Sequence, residues 1–133
     1  MNNQPLLAIT MGDAAGIGPE VTAKALSEES IYSKCRPFVV GNVDAMNDAL
    51  RIISSKVVAS SHSDLSTIRG QYGEIDVLDL DNLNFQEIKY GEISPSCGRA
   101  SVEWILKAGE LAASGAIKAV SYTHLTLPTI LLV

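Results

Sequence analysis

An α/β layered fold with a mostly parallel sheet is the class this sequence predicts, on three observations. Short apolar runs of strand length alternate with longer segments of helical period, and parallel strands need such crossover segments between them. The first run is continuously apolar, as in a strand covered on both faces. It ends in a turn with three glycines in seven residues, followed by a helix-starting proline.

The elements follow in order. Residues 6–11 (Leu-Leu-Ala-Ile-Thr-Met) read as the first buried strand. A helix over residues 19–26 starts on Pro19, which suits the first helical position, with Glu20 at the positive end of the helix dipole. Residues 37–41 are the second strand. Asn42 caps a helix carrying Asp44, Ala45, Met46, Ala49, Leu50 and Ile53. Residues 56–59 and 75–78 are two further strands, the latter more alternating. Residues 60–73, rich in Ser and Gly, read as a loop or weak short helix, and residues 79–95 as irregular chain. The strongest helix spans residues 96–114. Val102, Ile105, Leu106, Gly109 and Ala112 form its expected buried stripe, and Glu103, Lys107, Glu110 and Ser114 its wet face. Glu103 and Lys107 are spaced for an i,i+4 pair. Gly115 closes the helix, and residues 117–120 begin a last strand.

Composition bounds the function. The chain has 133 residues, 47% hydrophobic and 19% charged, with a net charge of -5. That is the composition of a soluble globular domain. Scattered charges without a Lys/Arg cluster argue against a nucleic-acid partner. No apolar stretch reaches the ~20 residues of a membrane span, and the N-terminus lacks the basic region of a signal peptide. A cytoplasmic location follows as the expectation. Cys35 and Cys97 have no metal-type spacing and read as reduced structural thiols.

The turn Gly12-Asp13-Ala14-Ala15-Gly16-Ile17-Gly18-Pro19-Glu20 carries the functional signal. Glycines permit positive φ and close approach of a ligand. The turn feeds a helix N-terminus, where free N–H groups favour an anion, and it follows a strand at the end where α/β proteins place ligands. It is expected to open onto solvent. It is neither a P-loop, which would end in Gly-Lys-Ser/Thr, nor a dinucleotide fingerprint, which would need Gly or Ala at Val21. From the residues alone it is a ligand site or a tight turn packing helix on strand.

The string from Thr10 to Glu20 resembles the opening signature T-M-G-D-P-A-G-I-G-P-E of the 4-hydroxythreonine-4-phosphate dehydrogenases, with Ala14 in place of the proline. Lys24-Ala25-Leu26, Val39-Val40-Gly41, residues 91–94, Cys97-Gly98-Arg99-Ala100-Ser101 and residues 116–120 extend the likeness. The family is similar in fold to the isocitrate and isopropylmalate dehydrogenases. The resemblance implies the incomplete N-terminal part of an enzyme that uses NAD to oxidise a phosphorylated hydroxy acid with loss of carbon dioxide. The substrate is 4-phosphohydroxy-L-threonine or, alternatively, D-threonate or D-erythronate 4-phosphate. It also implies a homodimer, and a divalent metal held by histidines of the missing C-terminal part. Gly12, Asp13, Gly16, Ile17 and Gly18 become the cofactor-binding candidates. Asp13 then reaches a ribose, with an Asx turn as its commoner use, and Ile17 lines an adenine pocket or packs in the core.

No catalytic residue and no metal ligand is assigned within this chain. His62 reads as a solvated loop residue, Arg99 and Lys107 as helix-surface charges, and Trp104 and Tyr90 as packing residues. Residues 121–133 contain no Asp, Glu, Lys or Arg and depart from the family pattern. They read as a non-native tail that includes His124, leaving residues 1–120 as the α/β part. Two non-enzymatic readings stay open: a small nucleotide- or phosphate-binding module, and a structural or subunit-interaction domain.

Overall fold

The computed structural model describes residues 4–122. Its elements are β1 (Leu6–Thr10), α1 (Gly18–Leu26), β2 (Arg36–Gly41), α2 (Val43–Ile52), β3 (Val58–His62), β4 (Glu74–Asp79), α3 (Pro95–Ala113) and β5 (Ala119–Tyr122). They form one five-stranded sheet of order β3-β4-β2-β1-β5, with every pair parallel. The α/β class and the parallel sheet are as expected. Short 3-10 turns at Glu29–Ser33, Leu65–Thr67 and Phe85–Glu87 complete the chain.

The sheet is built outward from its apolar centre. β2 and β4 are buried along most of their length, with Phe38, Val39, Val40, Ile75, Val77 and Leu78 in the core. α1 and α2 pack side by side, while α3 lies on β1, β2 and β5. The crossovers from β1 and β2 run toward β3, whereas the crossover from β4 runs back to β5. Right-handed connections therefore place α3 on the face opposite α1 and α2. Asn42 caps α2 as expected, its side chain accepting from the Ala45 N–H at 2.9 Å.

Three expectations need correction. The buried stripe of α3 is Cys97, Ala100, Trp104 and Ala108, while Val102 and Leu106 are 53% and 66% exposed. One indole fixes the rotation of this helix. Trp104 is fully buried and donates to Asn82 Oδ1 at 3.1 Å, and alanines one turn away on either side let the helix sit close to the sheet. The expected Glu103–Lys107 pair is absent from the salt bridges of the described residues. Lys107 lies 3.7 Å from Glu110 instead, and Glu103 accepts from Asn82 Nδ2. Finally, β3 runs through Ser60 and His62, where the sequence predicts a loop or weak short helix. Pairing with β4 overrides the weak local strand preference of serine. At the other edge Ser121 and Tyr122 continue β5, in register with Ile9 and Thr10; the rest of the segment read as a tail, residues 123–133 with His124, lies outside the described residues.

Candidate functional site

The glycine turn sits at the C-terminal end of β1, as predicted, and its geometry is set by backbone. The Met11 N–H still pairs with Val40. Gly12 then adopts φ 81°, a left-handed conformation that glycine enters at little cost. Asp13 forms the Asx turn, its Oδ1 accepting from the Ala15 N–H at 2.9 Å while its carbonyl accepts from Gly16. The chain enters α1 at Gly18, where a Cβ would stand 2.3 Å from the Met11 carbonyl oxygen. Gly18 is therefore required by packing. Gly16 differs, since a Cβ there would meet only ordinary contacts of 3.6 Å and more. A second segment holds the turn from above: the Gly91 N–H donates to the Ala15 carbonyl at 2.8 Å, and next to it the Tyr90 hydroxyl donates to Asp48.

The turn opens onto solvent only in part. Gly12, Ala14, Ala15, Gly18 and Pro19 are buried, Gly16 is half-buried, and Asp13 and Ile17 are exposed. Ile17 is 58% and Val21 49% exposed, one helical turn apart on the same face. The five candidates thus divide into Gly12 and Gly18, which shape the turn, and Asp13, Gly16 and Ile17, which present its surface. This surface is a poor phosphate cradle. Ala15 and Gly16 spend their N–H groups on Asp13, Pro19 has none, and Glu20 adds negative charge to the first turn of α1. A carboxylate, open backbone and an apolar side chain offer a hydroxyl group and a flat apolar surface better partners than a phosphate.

A second group of polar side chains lies at the β3–β4 edge. Successive strand residues alternate in face, so Ser60 and His62 project together, as do Glu74 and Asp76. The parallel register sets Ser60 opposite Asp76. His62 Nε2 lies 2.8 Å from Asp76 Oδ1 and its Nδ1 2.6 Å from Thr67 Oγ1. The Ser60 hydroxyl donates to Glu74 Oε1 at 2.7 Å. Asp76 is only 3% exposed, and its Oδ2 accepts from the N–H groups of Arg69 and Gly70 at 3.1 and 2.8 Å. His62 is thus a partnered strand residue, not a solvated loop residue. A hollow of about 230 Å³ lined by Glu74, Asp76 and Tyr72 adjoins the group. The available signal was Ser-x-His and Glu-x-Asp at strand spacing, but the register that joins them is not in either string.

A third feature is a hollow of about 500 Å³ between Asp44 and residues 81–85. It lies beyond the C-terminal ends of β2 and β4, where crossovers leave for opposite faces, the usual ligand crevice of such sheets. No Lys or Arg lines it. Arg99 is exposed on α3 and Lys107 half-buried there, away from the glycine turn in sequence and paired, in the case of Lys107, with Glu110.

Comparison with known proteins gives a consistent result. The profile of the family described as pyridoxal phosphate biosynthetic protein PdxA matches residues 33–127. A protein of Halalkalibacterium halodurans named "Putative D-threonate 4-phosphate dehydrogenase" is 37% identical over 123 residues, covering 92% of this chain and 37% of its own length. A protein of the same name from Oceanobacillus iheyensis is 36% identical over 121 residues, or 90% of this chain and 36% of its own. Among solved structures, a 4-hydroxythreonine-4-phosphate dehydrogenase from Burkholderia phymatum superposes with a TM-score of 0.86 at 37% identity, over 91% of this chain and 36% of that one. The chain therefore spans a little over a third of the length of the relatives it matches.

Proposed function

The chain belongs to the family of the pyridoxal phosphate biosynthetic protein PdxA, and on that premise we propose that it is the N-terminal part of an NAD-dependent dehydrogenase acting on a phosphorylated hydroxy acid. The observation that carries the reading is the family match joined to the turn at the end of β1, whose exposed residues are Asp13, Gly16 and Ile17. Bound in the whole enzyme, NAD would supply a hydride acceptor for the oxidation of a secondary alcohol, whose hydroxyl would give up its proton. The resulting β-keto acid then loses carbon dioxide. Asp13 would accept a hydrogen bond from a ribose hydroxyl, Ile17 would give the adenine an apolar contact, and Gly16 would let the ligand approach the backbone. We assign no proton-transfer role to the described residues.

Relatives in sequence favour D-threonate 4-phosphate as substrate, and the related solved structures favour 4-phosphohydroxy-L-threonine. Both present a secondary alcohol, a carboxylate and a terminal phosphate. A divalent metal supplies Lewis-acid stabilisation of the developing oxyanion in such a reaction. We assign the histidine ligands of that metal to the C-terminal part of the enzyme; among the described residues the only histidine is His62. A homodimer in the cytoplasm completes the proposal, and among the described residues no helix is long and apolar enough to cross a membrane.

The test is a fusion of residues 1–122 to the C-terminal remainder of the H. halodurans relative. It should reduce NAD with one of the two substrates in the presence of a divalent metal, while the 133-residue chain alone shows no turnover. Metal-dependent turnover by the short chain, or a well-folded fusion inert toward both substrates, would refute the reading.

A further inference from the structure

We propose that His62, Glu74 and Asp76 form a binding site for a divalent transition-metal ion at the β3–β4 edge. The three candidate donor atoms all lie within 4.8 Å of one another. His62 Nε2 and Asp76 Oδ1 are 2.8 Å apart, and the Ser60 hydroxyl lies 3.1 Å from the first, 3.4 Å from the second and 2.7 Å from Glu74 Oε1. Tetrahedral ligands about 2.0–2.2 Å from zinc are themselves roughly 3.3–3.5 Å apart. Changes in donor separation of about 0.6 Å, and of no more than about 1.4 Å, therefore convert the hydrogen-bonded group into a coordination shell.

The outer groups are what separate this cluster from a chance meeting of polar side chains. A good metal ligand has its second polar atom held by the protein. His62 Nδ1 is 2.6 Å from the Thr67 hydroxyl, which can accept the Nδ1 proton and leave Nε2 free to coordinate. The second oxygen of Asp76 is held by the N–H groups of Arg69 and Gly70. Ser60 orients the Glu74 carboxylate. The adjoining hollow of about 230 Å³, lined by Glu74 and Asp76, leaves room for water at the remaining positions. One imidazole with two carboxylates selects zinc or a neighbouring transition metal over magnesium, which prefers oxygen donors and retains its waters.

The experiment is calorimetric titration of the 133-residue chain with zinc chloride, and with magnesium chloride as the comparison. A Cys35→Ser background removes the half-buried thiol as a rival ligand. The chain should bind one equivalent of zinc and its melting temperature should rise with zinc but not with magnesium. His62→Gln and Glu74→Gln should each weaken binding at least ~10-fold, and Thr67→Val, which touches only the outer nitrogen, by roughly 10-fold. Asp76 is too deeply built into β4 to serve as the test variant. Circular dichroism and melting of the metal-free variants confirm that each is folded. Absence of zinc binding at about 100 µM, or stoichiometric binding that survives in the folded His62→Gln/Glu74→Gln double variant, would overturn the proposal.

Discussion

The glycine turn after β1 and the polar edge of β3–β4 are built by opposite means. The turn is a backbone device: Gly12 supplies the left-handed φ, Gly18 removes a clash, and its one side-chain bond is the Asx contact of Asp13. The edge is a side-chain device, in which Ser60, His62, Glu74 and Asp76 meet because two strands pair in one register. A contiguous backbone motif leaves a string that can be read in sequence. A side-chain constellation assembled across strands leaves two short, common strings and no sign that they meet.

The largest effect that can sharpen this contrast is within the turn itself. Gly18→Ala drives a Cβ to 2.3 Å from the Met11 carbonyl, and should destabilise the chain by about 3 kcal/mol or more in urea unfolding. Gly16→Ala should cost less than about 1 kcal/mol. Equal costs would show that the two glycines do not divide into shape and surface as described.

Next comes the edge. Asp76→Ala strands the N–H groups of Arg69 and Gly70 and should cost about 2–3 kcal/mol by the same measurement. Asp13→Ala, exposed and with one short-range bond, should cost about 1 kcal/mol or less. A negligible loss at Asp76 would break the account of the edge as a side-chain device.

A smaller effect appears in alkali. Burial, and then the charge of Asp76, push the Tyr32 phenol up to about 12; burial and the bond to Asp48 do the same for Tyr90. A raised phenol favours the protonated form in the folded chain, while the unfolded phenol ionises near ~10. Stability from these groups is therefore complete below about pH 10 and declines toward about pH 12. Tyr32→Phe should flatten part of that decline in a melting-temperature series; an unchanged slope would contradict the assignment. The smallest effect is that of Tyr90→Phe at neutral pH, within about 0.5 kcal/mol, because its partner lies near the surface.

Much of the fold was legible because it rests on local chemistry. Asn42 and Pro19 start their helices where cap and proline rules put them, and the apolar run of β2 is a central strand. The rotation of α3 was not legible. Counting aliphatic residues selected the face of Val102 and Leu106, whereas burial of the single indole at Trp104 outweighs them. Ser60 and His62 were not legible as strand for a related reason: strand formation there depends on pairing with β4, sixteen residues onward, and no local propensity records it. In the site, Gly12, Asp13, Gly16, Ile17 and Gly18 were all visible as a string, but their division into buried and exposed required coordinates.

The most direct test of the central claim, that the exposed part of the turn receives the nucleotide, is the KM for NAD of the active fusion carrying Gly16→Val. A Cβ at Gly16 would meet only ordinary contacts of 3.6 Å and more, so the variant should fold and put its bulk where the nucleotide is proposed to bind. The account predicts a rise of at least ~10-fold in the KM for NAD, about 1.4 kcal/mol, with the KM for the phosphorylated substrate unchanged and the fold intact by circular dichroism. An unchanged KM for NAD in a folded, active Gly16→Val fusion would contradict it.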